Sequence, residues 1–355
     1  MNIVIKTIYL FIMKTSILVG GQAVIEGVMM RVPGAYATAL RLKNGKIISK
    51  RFDFISMIDK KRFNNYLILR GIIHLYESMK IGYKTLNWSA LVFEESNDDK
   101  EPKKQTFFQT ALEYVANIIS IVFAMSLFLL LPLFLTGYII ADINQPIYFN
   151  IISGSIRIII FLVYLILISQ LKDIKRLFQY HGAEHKTVYN FESGKPLNPE
   201  EAQKFSTQHP RCGTSFLFII MLVTIFSYTI IDSIALLFIQ ELTVLIRFVL
   251  HLACLPLVAG IGYEVLKFLA SKQNYLIFRY LSKPGLWLQN ITTNQPDDEQ
   301  IEVAIFALKE AFGKKPPTGD EITQEGSFEK IMLNLWRSEF FGLAGEVIPG
   351  LNPYE

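Results

Sequence analysis

The chain predicts a mainly α-helical membrane protein, with four transmembrane helices and a cytoplasmic α+β domain that includes a small N-terminal β-hairpin. Three observations predict it. Hydrophobic residues make up 51% of the chain and charged ones only 19%, and the mean hydropathy is +0.33. Four apolar stretches are long enough to cross a bilayer, which takes about 20 residues of helix. Lys and Arg crowd the segments on one side of those stretches and are missing from the connections on the other.

The first stretch runs from about Val115 to Ala141 without a charge, and the second, from about Pro146 to Leu171, contains only Arg157. The third runs from about Thr214 to Ile239 around Asp232. The fourth, about Leu242 to Leu266, carries Arg247, His251 and Glu264. A charge at mid-bilayer costs about 3 kcal/mol or more, so Asp232 and Arg247, which flank one short turn, are expected to form an ion pair. Arg157 and His251 lie deeper. They suggest either further structural pairing or a polar path, and four spans with so few polar groups make a poor transporter. Residues 1–114 carry 17 Lys and Arg, the loop from Lys172 to Arg211 carries 7 and the tail from Lys267 carries 9. The short connections 142–145 and 240–241 carry none. Both termini and the long middle loop are therefore expected in the cytoplasm. In chain order this gives a cytoplasmic N-terminal region (1–114), two spans (115–171), a cytoplasmic loop (172–213), two more spans (214–266) and a cytoplasmic C-terminal helix and tail (267–355).

The N-terminal stretch Met1 to Leu18 is apolar, but Lys6 and Lys14 interrupt it and no small-residue cleavage site follows, against a signal peptide. Between Ala35 and Phe54, Asn44-Gly45 separates two β-prone runs, a hairpin signal. From about Asn65 to Asn87, Leu67, Ile68, Ile72, Leu75, Met79 and Tyr83 recur at helical spacing opposite Arg70, Lys80 and Lys84, the pattern of a helix on a membrane surface. Glu94 to Lys104 reads as a linker. Beyond the second span, helical pattern is expected to continue without a break through His181 to Glu192, where Ser193-Gly194-Lys195-Pro196 stops it. Asn198-Pro199 starts a short helix. Asp297 opens another, with Ile301, Ala304, Ile305, Leu308 and Phe312 as its apolar stripe. A last helix is expected around Phe328 to Phe340. Cys212 and Cys254 are expected to stay reduced, and the net charge of +4 gives no positive sign of nucleic-acid binding.

One motif carries chemistry. His181, Glu184 and His185 have the spacing H-x-x-E-H, and residues at i, i+3 and i+4 share a helix face, so both imidazoles can converge on one ion with a carboxylate beside them. His209-Pro210-Arg211-Cys212 follows, offering another imidazole and a thiolate, ligand types that suit zinc. The competing reading is that these histidines hydrogen-bond a loop. If His209 and Cys212 both bind, four protein ligands make a structural site; an open position makes a catalytic one. Glu184 suits a general base, or a carboxylate that orients an imidazole. Glu26 and Arg31 sit in a glycine-flanked segment, where Glu26 is either a further ligand or a salt-bridge partner. Arg31 or Arg211 can grip a phosphate or carboxylate by paired hydrogen bonds. Glu264, at the inner end of the fourth span, is an alternative carboxylate ligand. His74 belongs to packing rather than to the site.

Three blocks, Gly20-Gly21-Gln22-Ala23-Val24-Ile25-Glu26-Gly27-Val28-Met29-Met30-Arg31, His181-Gly182-Ala183-Glu184-His185-Lys186 and His209-Pro210-Arg211-Cys212-Gly213-Thr214-Ser215-Phe216, resemble the YqhQ-like family of bacterial membrane proteins, whose domain is catalogued as of unknown function (number 1385). The resemblance covers the chain from Gly20 to about Phe312, including Gly285-Leu286-Trp287-Leu288-Gln289 and Pro296-Asp297-Asp298. It implies a metal-dependent enzyme with no reaction assigned. The leader before Ser16 and the tail beyond about Gly313 are longer than the family core. The expectation is a divalent-metal-dependent enzyme, a hydrolase, in the bacterial cytoplasmic membrane. Zinc is favoured, with His181, His185, His209 and Cys212 as ligands and Glu184 and Arg211 catalytic. The alternative is a scaffold with a structural metal or polar cluster. The expected partner is the lipid bilayer, with a homo-oligomer compatible.

Overall fold

The computed structural model describes residues 19–58, 66–97, 107–140, 142–210, 212–271 and 276–313. The expected helix around Phe328 to Phe340, the leader Met1 to Leu18 and Arg211 lie outside them. The chain divides into two compact units: the described residues of Met1–Ile55, Tyr180–Thr207 and Gln295–Glu355 form the first, and Ser56–Gln179 with Gln208–Asn294 the second.

The first unit is built on an antiparallel meander of β1 (Gly20–Val24), β2 (Gly27–Val32), β3 (Ala35–Arg41) and β4 (Ile47–Asp53), in the order β1-β2-β3-β4. The hairpin at Asn44-Gly45 is present, with Gly45 at φ +80°. The sheet is twice the size expected, because Gly20 to Arg31 pairs as strands, with Gly20 opposite Arg31 and Val24 opposite Gly27. A close approach enforces one glycine. A Cβ on Gly27 would stand 2.1 Å from the carbonyl oxygen of Ala39. Val28, Met30, Ala37 and Ala39 are buried from the sheet, together with Tyr180, Ala183 and Val188. The helix Asp298–Phe312 supplies Ile301, Ala304, Ile305 and Leu308 to the same core. Its N-terminus is closed by a reciprocal capping box between Asp297 and Gln300, and it ends on Gly313 at φ +69°.

The second unit is helical: α1 (Leu67–Asn97), α2 (Phe107–Met125), one π-helical turn (Ser126–Leu130), α3 (Leu131–Ile139) and α4 (Pro146–Ile168), then the start of α5 (Lys172–Glu192), and later α7 (Gly213–Ala235), α8 (Val244–Ser271) and α9 (Leu276–Thr292). The remaining helices, α6 (Pro199–Gln203) and α10 (Asp298–Phe312), belong to the first unit. Four segments are long and apolar enough to cross a membrane: Val115–Ile139, Pro146–Ile168, Phe216–Ala235 and Val244–Leu269. α1 extends to Asn97, so the first residues of the expected linker are helical. The expected unbroken helix from the second span is not found. A turn at 169–171 separates α4 from α5, where Ser169 Oγ donates to the Ile166 carbonyl and competes with helical pairing. α9 had no counterpart among the expected helices, and Pro284 lies inside it.

The predicted pair between Asp232 and Arg247 forms, and it is part of a larger cluster. Asp232 Oδ2 accepts from Arg247 Nη1 and from Asn150 Nδ2 at 2.7 Å, and Oδ1 accepts from His251 Nε2 at 2.9 Å. Asp232, Arg247 and His251 are all 0% exposed. Arg247 also donates to the Ile143 carbonyl and stands 4.1 Å over the Phe149 ring. The cluster therefore ties the connection after the first span to the second, third and fourth. At the other end of α8, Gly260 lets α1 come within backbone contact, since a Cβ on Gly71 would lie 2.8 Å from the Gly260 carbonyl oxygen. That crossing also pairs Arg70 with Glu264 and stacks His74 on Tyr263 at 5.1 Å.

Candidate metal centre

Helix α5 carries the motif because its two faces do different work. Tyr180, Ala183, Val188 and Phe191 recur at helical spacing and enter the core of the first unit. Ser193-Gly194 ends the helix, with Gly194 at φ +70°. The helical register then sets His181, Glu184 and His185 side by side. The two imidazoles lie 4.5 Å apart, centroid to centroid, with their planes at 61°. Glu184 Oε2 is 3.9 Å from His181 Nε2.

His185 is oriented by a backbone carbonyl. Its Nδ1 pairs with the Thr207 carbonyl oxygen, which has no proton to offer, so Nδ1 carries the proton and Nε2 the lone pair. This is the arrangement by which a metal-binding histidine is held in its ligating tautomer. The neighbouring Lys186 holds the segment that supplies that carbonyl. It is buried and donates to the carbonyls of Gln203 at 2.8 Å and Phe205 at 2.7 Å. Desolvation pushes its ammonium below the usual lysine range. Asn198 caps α6 through a bond from the Glu201 N–H at 2.8 Å, as its position before Pro199 predicts.

Glu184 is buried, and its carboxyl is raised above the ordinary range chiefly by loss of solvent, with His181 and the Gly21 backbone N–H acting in the opposite direction. Gly21 allows this contact. A Cβ there would fall 2.9 Å from Glu184 Cγ and 2.4 Å from the Met29 carbonyl oxygen. The β1–β2 turn brings in Glu26, which adopts φ +53°, a left-handed conformation that costs a non-glycine residue about 1–2 kcal/mol. Tyr180, one residue before His181, donates its hydroxyl to Glu26 Oε2 at 3.3 Å.

The first unit thus gathers His181, Glu184, His185 and Glu26 with Gly21, Tyr180 and Thr207. The other candidates are held as follows. Arg31, also in the first unit, lies 4.6 Å over the Phe54 ring. His209 and Cys212 belong to the second unit. The backbone of His209 is clamped by Gln289, which accepts its N–H at 2.7 Å and donates to its carbonyl at 2.8 Å. The Cys212 sulfur caps α7 by accepting from the Thr214 N–H at 3.4 Å. Glu264, also in the second unit, has both oxygens engaged by Arg70, at 2.6 and 2.5 Å.

The family profile described as "Protein of unknown function (DUF1385)" matches residues 67–314. The chain belongs to this family. It is also 34% identical over 308 residues to the uncharacterized protein YqhQ of Bacillus subtilis (strain 168), a match covering 82% of this chain and 91% of that protein. No solved structure matches. The DUF1385 region contains α5 and all four candidate spans, whereas the sheet that presents Gly21 and Glu26 precedes it. The donor set fits a divalent ion on one point in particular: His185 is locked in its ligating tautomer.

Proposed function

We propose that the chain is a divalent-metal-dependent enzyme, a hydrolase, working at the cytoplasmic face of the membrane. The observation that carries this reading is the orientation of His185 by the Thr207 carbonyl, beside His181 and a buried Glu184. His181 and His185 are the ligand pair. Cys212 or His209 is the proposed third ligand on the strength of the sequence, and the imidazole and thiolate types favour zinc. A bound ion of this class polarises a water or a carbonyl oxygen. Glu184, whose carboxyl is held above the ordinary carboxylate range by burial, is the proposed general base. Arg211 and Arg31 are proposed to grip an anionic substituent, and Glu26 and Glu264 remain candidates for further carboxylate contacts.

Elemental analysis of detergent-purified protein tests the ligands. His181→Ala and His185→Ala should each abolish stoichiometric metal, while His74→Ala should leave it unchanged. Equal metal in all three would end the proposal. The cytoplasmic location rests on the distribution of Lys and Arg. Single cysteines introduced near Asn144 and Gln240 should react with an impermeant reagent in intact cells, and one at the exposed Lys195, in the loop that carries the centre, should not. Labelling at Lys195 would move the centre to the other side.

A second reading, a scaffold with a structural metal or polar cluster, is favoured by the way His185 and Lys186 together pin residues 203–207 to α5. The behaviour of Glu184→Gln separates the two.

A further inference from the structure

Arg157 stands at the middle of α4, eleven residues from either end. That is about 16 Å of helix on each side. It is only 8% exposed. Among the described residues, the carboxylate near the same helix face, Asp232, is already engaged by Arg247, His251 and Asn150. Two arginines and one aspartate leave this part of the bundle with an uncompensated positive charge. A buried charge in hydrocarbon is a functional site by default, because burying it unmatched costs about 3 kcal/mol or more.

The hydrogen bonds of Arg157 explain part of its presence. Pro132 has no N–H to give the carbonyl four residues earlier, that of Phe128, and Arg157 Nε donates to that carbonyl at 3.0 Å. Nη1 donates to Thr224 Oγ1 at 3.2 Å, and the guanidinium lies 5.8 Å from the Tyr228 ring. A guanidinium has five N–H groups, so three have no partner among the described residues. Neither bond requires a full charge. A neutral amide would serve both.

A second observation lies one turn away on the same face. Ser155, Ser120, Thr136, Thr229 and Ser233 each donate to the carbonyl four residues earlier, the usual way a hydroxyl is satisfied in a membrane helix. Ser153 does not. It is 1% exposed and its hydroxyl has no partner among the described residues. The π-helical turn at Ser126–Leu130, a feature frequent at functional sites, faces this stretch through Phe128. Its ring stacks edge-on against Phe161 and Tyr164, which continue the stripe of α4 begun by Ser153 and Arg157.

We propose that Arg157 and Ser153 form an anion-binding site inside the helical bundle, separate from the α5 centre and independent of its chemistry. The ligand class is a group with one negative charge and acceptor atoms for N–H and O–H donors. Two sources share that chemistry, a small inorganic anion and the phosphate of an acidic lipid.

The test is thermal unfolding of the full chain in a neutral detergent. One arm titrates chloride against gluconate at constant ionic strength. The other titrates phosphatidylglycerol against phosphatidylcholine in the micelles. The wild-type midpoint should rise by several degrees in one arm, and the responding arm identifies the source. Arg157→Gln keeps donors for the Phe128 carbonyl and Thr224 but removes the charge, so it should show no rise in either arm. Should that variant fail to fold, Ser153→Ala provides the second reading, and the concentration for half the response should increase severalfold. Absence of any rise in the wild type, or an unchanged response in the variants, would overturn the site and leave Arg157 as a donor to Phe128 and Thr224 alone.

Discussion

Asp232 and Glu184 are both buried carboxylates, and the protein treats them in opposite ways. Asp232, among the spans, receives an arginine, a histidine and an asparagine. Glu184, in the first unit, has a backbone N–H and an imidazole 3.9 Å away, and its carboxyl is raised by lost hydration. A carboxylate matched on every side serves the fold, because its partners would be stranded without it. A carboxylate left with an elevated proton affinity is suited to exchanging protons. The same contrast separates Arg247, enclosed by Asp232, Ile143 and Phe149, from Arg157, which pairs with no acid among the described residues.

The largest effect that would sharpen this comparison is expected at Asp232. Replacing it with Ala leaves Arg247 buried without its counter-charge, a change that costs about 3–5 kcal/mol when one partner of a buried pair is removed. Thermal or denaturant unfolding in detergent measures it. A loss under about 1 kcal/mol, the range of exposed pairs, would show that Asp232 is solvated and erase the distinction. A smaller effect is expected at Gly21. Gly21→Ala forces its Cβ against the Met29 carbonyl and Glu184 Cγ, and overpacking of this kind costs about 1–3 kcal/mol. Full stability in that variant would mean that β1 does not press on Glu184. The smallest effect is expected for Glu184→Gln, which removes a desolvated charge at nearly constant shape. Its stability should equal the wild type or exceed it, and a loss comparable with Asp232→Ala would put the two carboxylates in one class.

Much of this was legible before any coordinates. Long apolar runs give the four spans, Asn44-Gly45 the hairpin, Asn198-Pro199 and Asp297 the helix starts, and the spacing of His181, Glu184 and His185 their common face. What escaped has a physical cause in each instance. The glycine-flanked segment offers a backbone open to close approach, but residue type does not say what approaches it, and at Gly21 that is Glu184. α9 carries Pro284 in its interior, where a proline offers no N–H to the helix. The break after Ile168 rests on a few residues whose hydroxyl and amide groups bond to nearby carbonyls, a choice that periodicity does not register. Within the centre, the decisive partners of Glu184 and His185 are the Gly21 N–H and the Thr207 carbonyl. Backbone groups leave no signature in residue type, and a lysine such as Lys186 reads as a solvated charge until its burial is seen.

The central claim, that α5 carries a catalytic metal centre rather than a structural one, is tested most directly by metal content and genetic complementation measured together on Glu184→Gln. The account predicts that this protein retains the metal of the wild type and fails to restore the cellular function of the deleted gene, since glutamine preserves the shape but accepts no proton. Full complementation would contradict a catalytic Glu184, and a parallel loss of metal and function would assign the cluster to the scaffold.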